Sequence, residues 1–233
     1  MNFQEILTAD TFFLYLGGLW TTLKLLAGCV FFGFLISVPM AVARNSRIVA
    51  IKRAVWFFTY VIRGTPLLLQ MYLIYYGLSQ FSAVRESFAW VALSNPMFCA
   101  MAALIINTVG YTTEIFAGAI RGLPYGEIEA AYAYGMNRFT IIRRIILPAA
   151  LRTSLPAYSN EVIMMLHSTS LVSTITLMDL TGAASKIYST YYLPFQAFML
   201  AALVYMVITY MMVRGFRFAE WRYLAYQRPQ EVR

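Results

Sequence analysis

Long, unbroken apolar runs separated by short polar intervals set the pattern of this chain. They lie near Tyr15 to Val42, Val55 to Phe81, Phe98 to Ala119, Pro156 to Leu177 and Phe195 to Val213. Each holds the roughly 20 residues that a helix needs to cross a bilayer core. None shows the short alternating segments of a transmembrane barrel strand, so the pattern predicts an all-α polytopic membrane protein. Five transmembrane helices are expected in a single domain, residues 1–233. The first two runs exceed one crossing and predict tilt, an interfacial turn or a break, at Pro39 and at Gly64-Thr65-Pro66. One polar interval, residues 121–150, is longer than the rest.

Composition agrees: 61% of residues are hydrophobic and 12% charged, too apolar for a soluble domain. The basic residues supply an orientation. Five fall between runs one and two (Arg44, Arg47, Lys52, Arg53, and Arg63 if it lies at that edge). Five fall between runs three and four (Arg121, Arg138, Arg143, Arg144, Arg152), and five follow run five (Arg214, Arg217, Arg222, Arg228, Arg233). The alternate loops hold only Arg85 and Lys186. The positive-inside rule then predicts an outside N-terminus, a cytoplasmic C-terminus and a cytoplasmic 121–150 segment. Lys24, inside the first run, is expected to snorkel outward. A net charge of +8 is thereby placed mostly at the inner leaflet, with no nucleic-acid partner required. Cys29 and Cys99 lie in apolar runs, and the lone His167 stands at no familiar ligand spacing from them, so neither a metal nor a disulfide is expected. The opening MNFQEILTAD lacks a basic n-region, which predicts that the first run stays in the mature protein.

Within residues 121–150, Pro124 and Gly126 mark a turn, and Glu127 and Glu129 suit the first turn of a helix. Gly135 interrupts that helix after Ala130, Ala131 and Ala133, at a cost of about 1 kcal/mol relative to Ala, so a bend or a close backbone approach is expected there. Pro148 is expected to close the segment. An amphipathic helix lying on lipid would fit the composition. The spacing says more: Glu129-Ala130-Ala131, Gly135 six residues after the Glu, Ile145 and Leu147-Pro148 reproduce the EAA loop of bacterial ABC importer permeases, and the chain resembles that family. The resemblance implies that Glu129, Ala130, Ala131, Gly135, Leu147 and Pro148 belong to a coupling helix docking on a cytoplasmic ATPase.

Four further stretches, GLWTTLKLL, RGTPLLLQ, NTVGYTTEIFAGAI and NEVIMMLHSTSLVS, resemble the polar amino acid permeases. NEV with LHSTSL is most similar to the histidine/lysine/arginine and arginine/ornithine systems, with opine permeases as close relatives. Neither G-x-x-x-x-G-K-[ST] nor a helix-opening G-x-G-x-x-G occurs, so this subunit is not expected to be an enzyme or to hold a cofactor. The resemblance implies that ATP and Mg are bound by a partner ATPase subunit in two copies. It also implies a second homologous permease subunit, giving a heterodimer, and a periplasmic or extracellular substrate-binding protein. The setting that the resemblance implies is the bacterial cytoplasmic (inner) membrane.

Polar residues inside the spans are the candidates for chemistry, because a charge at the bilayer centre costs roughly 2.5–3.5 kcal/mol. In run three, Asn107, Tyr111 and Glu114 share one face, continued by Gly118 and Arg121. Glu114 has Arg121 and Arg63 as prospective ion-pair partners. In run four, Asn160, Met164 and His167 share a face, and Glu161, Met165 and Ser168 the adjacent one. Glu161 is the leading contact for a cationic substrate side chain, with an interhelical clamp as the alternative. His167 could bond substrate, Glu161 or a neighbouring helix. Ser168, Thr169 and Ser170 could bind an α-carboxylate or bond back to their own helix. A His167–Ser170 base and nucleophile pair lacks an acidic orienter and gives the 121–150 segment no purpose, while a passive channel would conduct without an ATPase or a receptor. The reading that results is a permease subunit for a basic amino acid (arginine, ornithine, lysine or histidine), with an opine or another polar amino acid as the alternative.

Overall fold

The computed structural model describes residues 8–224; Arg228 and Arg233 of the basic C-terminal group lie outside the described residues. Among the described residues, three helices are long and apolar enough to cross a membrane unaided: α1 (Ala9–Arg44), α6 (Pro96–Arg121) and α12 (Pro194–Tyr223). Two bent pairs make up the remaining crossings if each is counted as one, which brings the total to the predicted five. The first joins α2 (Val49–Gly64) to α3 (Leu67–Tyr72), which runs on through a π turn and a 3-10 turn to Gln80. The second joins α10 (Leu155–Ser168), with its 3-10 extension Thr169–Ile175, to α11 (Leu180–Tyr191). Short helices α4 (Ser82–Arg85) and α5 (Trp90–Leu93) fill the connection before α6. Between α6 and α10 lie α7 (Tyr125–Ala133), α8 (Arg138–Ile141) and α9 (Leu147–Thr153).

The α2–α3 bend is 101° and falls at Thr65 and Pro66, where the sequence places a break. Pro39 is different: α1 passes through it without interruption. Its surplus length extends the helix to 36 residues, about 54 Å, beyond the apolar core instead of breaking it. The packing along α1 uses small side chains. Gly18, Thr22, Cys29, Gly33, Ser37 and Ala41 form one buried stripe. A Cβ at Gly33 would stand 2.4 Å from Thr108 Cγ2 of α6, and one at Gly18 only 2.6 Å from the Asp179 carbonyl oxygen. Close approach of this kind replaces the hydrophobic effect as the glue between helices in lipid.

The sequence places residues 178–194 in an outer connection, but α11 occupies most of it. Asp179, fully buried, caps α11 by accepting from the Thr181 and Gly182 amides, and Leu180, Ala183, Ala184 and Ile187 bury its inner face.

Candidate functional site

The break at Gly64–Pro66 frees backbone carbonyls inside a bent helix pair apolar enough to be one span, and lipid does not tolerate such groups unless a side chain satisfies them. Gln70 does so: its Nε2 lies 2.8 Å from the Ile62 carbonyl, 3.1 Å from the Thr65 carbonyl and 2.8 Å from Thr65 Oγ1. Asn107 of α6 donates to Gln70 Oε1 at 3.1 Å. Above this floor opens a cavity of about 470 Å3, lined by residues 63–67 of the break, by Asn107 and Tyr111 of α6, and by Glu161, Met164, Met165 and Ser168 of α10. That volume suits a small ligand.

Glu161 is half-buried, and Thr108 Oγ1 donates to its Oε1 at 3.3 Å. Thr108 stands thirteen residues, about 20 Å, before the Arg121 end of α6, so the carboxylate lies well inside the span. Arg63 is also there rather than at the membrane edge. Its guanidinium sits 5.4 Å from the Tyr111 ring centroid, and the Tyr111 hydroxyl donates to its backbone carbonyl at 3.4 Å. The site therefore carries one carboxylate and one guanidinium, facing a cavity otherwise bounded by apolar and neutral polar groups.

Of the residues that sequence reasoning singles out, Glu161, Asn107, Tyr111 and Ser168 come together here. Asn160 is exposed and does not line this cavity. His167 and Ser170 open onto a different cavity of about 710 Å3 with Thr181, Tyr205 and Thr209, and His167 Nε2 is 3.1 Å from Thr209 Oγ1. Its partner is thus α12, not Glu161. The hydroxyls of Ser168, Thr169 and Ser170 all donate back to their own helix, to the carbonyls of Met164, Leu166 and His167. Ser170 thereby engages the His167 backbone and leaves the ring without a nucleophile. Glu114 takes Arg44 Nε at 2.7 Å and Thr59 Oγ1 at 2.8 Å, with Arg121 at 3.8 Å. Arg121 is the predicted partner, but Arg44 is nearer and Arg63 is elsewhere. Sequence reasoning misses Arg44, Thr59, Thr108 and Gln70, whose roles depend on the register between distant helices.

In the 121–150 segment, Pro124 precedes α7, which ends at Ala133. Gly135 has φ +76°, its amide donates to Tyr132, and the Met136 amide donates to Ala131. This pair of bonds is a Schellman cap. A Cβ at Gly135 would meet nothing within 4 Å, so the glycine serves the turn and not a close approach inside this chain. Asn137 then caps α8 by accepting from the Thr140 amide. A π turn over Ile142–Ile146 leads directly into α9, with Pro148 in its first turn, so Pro148 does not close the segment. Tyr125, Tyr134 and Phe139 are exposed, as are Glu129 and Ala130, while Ala131 is buried.

Residues 30–219 match the family described as the binding-protein-dependent transport system inner membrane component. The chain is 49% identical over 212 residues to the histidine/lysine/arginine/ornithine transport system permease of Salmonella typhimurium, covering 89% of this chain and 88% of that one. It is 44% identical over 221 residues to the octopine permease of Rhizobium radiobacter, covering 95% and 90%. A crystal structure described as an amino acid ABC transporter with histidines is 34% identical, with a TM-score of 0.83 over 95% of this chain and 99% of that one. An inward-facing methionine ABC transporter, 19% identical with a TM-score of 0.78, shares the fold. Matched over most of its length by that family, and by relatives well above 30% identity, the chain belongs to the inner membrane components of binding-protein-dependent transport systems.

Proposed function

We propose that this chain is the permease subunit of an ATP-driven importer of basic amino acids. The observation that carries the reading is Glu161, held by Thr108 at the wall of a ligand-sized cavity inside the span. A cationic side chain leaving water gains most where a carboxylate waits in surroundings of low dielectric. The histidine/lysine/arginine/ornithine relative at 49% identity supports the same substrate class. The exposed α7–α8 segment, with Glu129, Ala130, Ala131 and Gly135, is the docking piece for an ATPase subunit present in two copies. A second homologous permease completes the pore as a heterodimer, and a soluble receptor delivers the substrate. The basic ends of α1 and α6 face the cytoplasm, which puts the N-terminus outside.

A second reading comes from the octopine relative and from Arg63. An opine carries a further carboxylate, for which Arg63 would supply the counter-charge. Uptake into proteoliposomes by the complete complex, with arginine, ornithine, lysine, histidine and octopine in competition, separates the two. Glu161→Gln should lower basic amino acid uptake at least 30-fold, about the effect of unpairing one buried charge. Unchanged uptake with intact assembly would remove Glu161 from the site.

A further inference from the structure

A second constellation of charge lies at the other end of α2. Arg44, Val49, Lys52, Arg53 and Trp56 line a cavity of about 410 Å3. Among the described residues the ion pairs are those of Glu114 with Arg44 and Arg121, so Lys52 and Arg53 have none. Both are exposed. Beside them the same helix shows apolar surface: Val49, Trp56, Phe57 and Tyr60 are 56%, 46%, 62% and 64% exposed, and Trp56 stacks on Tyr60 with centroids 5.3 Å apart. A soluble acidic partner would satisfy the cations and leave those rings in water. A bilayer edge satisfies both, since interfacial Trp and Tyr sit at headgroup level and Lys or Arg beside a span attracts anionic lipid.

We propose that Lys52 and Arg53, with Trp56 about one turn further along α2 in the same cavity wall, bind the phosphodiester of one anionic glycerophospholipid. Its acyl chains lie against the exposed face of α2. This site shares Arg44 with the Glu114 node, where Arg44, Thr59 and Arg121 converge from α1, α2 and α6. The lipid thus adds negative charge where cations outnumber carboxylates. The inference rests on the proposed orientation, which puts this end of α2 at the cytoplasmic leaflet, and not on which cargo is carried.

The test uses the chain with its accompanying subunits, in nanodiscs of phosphatidylcholine mixed with phosphatidylglycerol. Lipids retained after detergent extraction are counted by native mass spectrometry. The parent should retain one phosphatidylglycerol per copy that K52Q/R53Q loses, with about a 30-fold fall in preference over phosphatidylcholine for the two lost charges. R214Q/R217Q, which removes two basic residues elsewhere, should retain it. Equal retention by K52Q/R53Q, equal retention of phosphatidylcholine by the parent, or displacement by millimolar inorganic phosphate would each overturn the proposal; the last would mark a soluble-anion site. Labelling of Ser46→Cys by an impermeant maleimide reports orientation separately. Reaction in whole cells rather than in inside-out vesicles would sink the orientation, whatever the lipid count.

Discussion

Replacing Gly135 separates two reasons for a glycine in the α7–α8 turn. Its φ of +76° lies in the left-handed region, and both bonds of the cap depend on that conformation. A residue with a Cβ held there costs about 1–2 kcal/mol, and Asn, which tolerates the region better, about 1 kcal/mol less. Because a Cβ would meet nothing within 4 Å, no steric penalty inside the chain adds to this. Gly135→Ala should therefore shift the local folding of the turn about 5- to 30-fold towards opening, with Gly135→Asn between it and the parent. Hydrogen exchange at the Gly135 and Met136 amides measures that opening, and ATP hydrolysis stimulated by substrate in the complete complex measures its effect on coupling. Gly126→Ala, in the first turn of α7 and also free of neighbours within 4 Å, serves as the control and should change neither. If Ala at 135 behaves as Gly does, the backbone argument fails. If the larger Asn proves worse than Ala, the glycine answers to a partner surface pressing on it and not to the turn.

Two further perturbations test the packing. Arg44→Met strands Glu114, whose side chain is only 14% exposed, and should destabilise the protein by about 3 kcal/mol, the low end for a broken buried pair, since Thr59 and Arg121 remain. The double variant R44M/E114L should recover most of this in a detergent thermal melt, and a double variant no better than the single would show that the pair is not the cause. Gly18→Ala pushes a methyl to within 2.6 Å of the Asp179 carbonyl and should cost about 1–3 kcal/mol, while Gly17→Ala, with nothing within 4 Å, should be neutral or gain up to about 1 kcal/mol. Equal melting temperatures for the two variants would refute the tight α1–α11 crossing.

Much of the architecture is legible in sequence because lipid demands long apolar helices and leaves few alternatives. The break at Gly64–Pro66 is legible for the same reason: glycine and proline act locally, before any tertiary contact. Pro39 shows the limit of that logic, since packing of its helix against α6 outweighs one missing amide. Helix α11 is hard to read from sequence although Leu180, Ala183, Ala184 and Ile187 have helical spacing and Asp179 is a capping residue. Its alanines bury well but contribute little hydropathy, so the stretch looks like a connection. The Arg44–Glu114 pair, 70 residues apart, needs the register of α1 on α6, which no local pattern supplies. Within the candidate site, spacing put Asn107 and Tyr111 on one face correctly. It places Glu161 and His167 on adjacent faces but does not show that these faces, less than two turns apart on α10, open into different cavities.

Gln70 touches the cavity nowhere, yet it dictates what a visitor meets there. Carbonyl oxygens can only accept, so the atom of Gln70 facing Ile62 and Thr65 must be nitrogen, and the atom facing Asn107 must be oxygen. Asn107 is then obliged to turn its own nitrogen inward to Gln70, leaving its oxygen as a free acceptor on the cavity it lines together with Glu161. The amide relay makes this wall hungry for hydrogen-bond donors, and a change of specificity can originate one residue behind it.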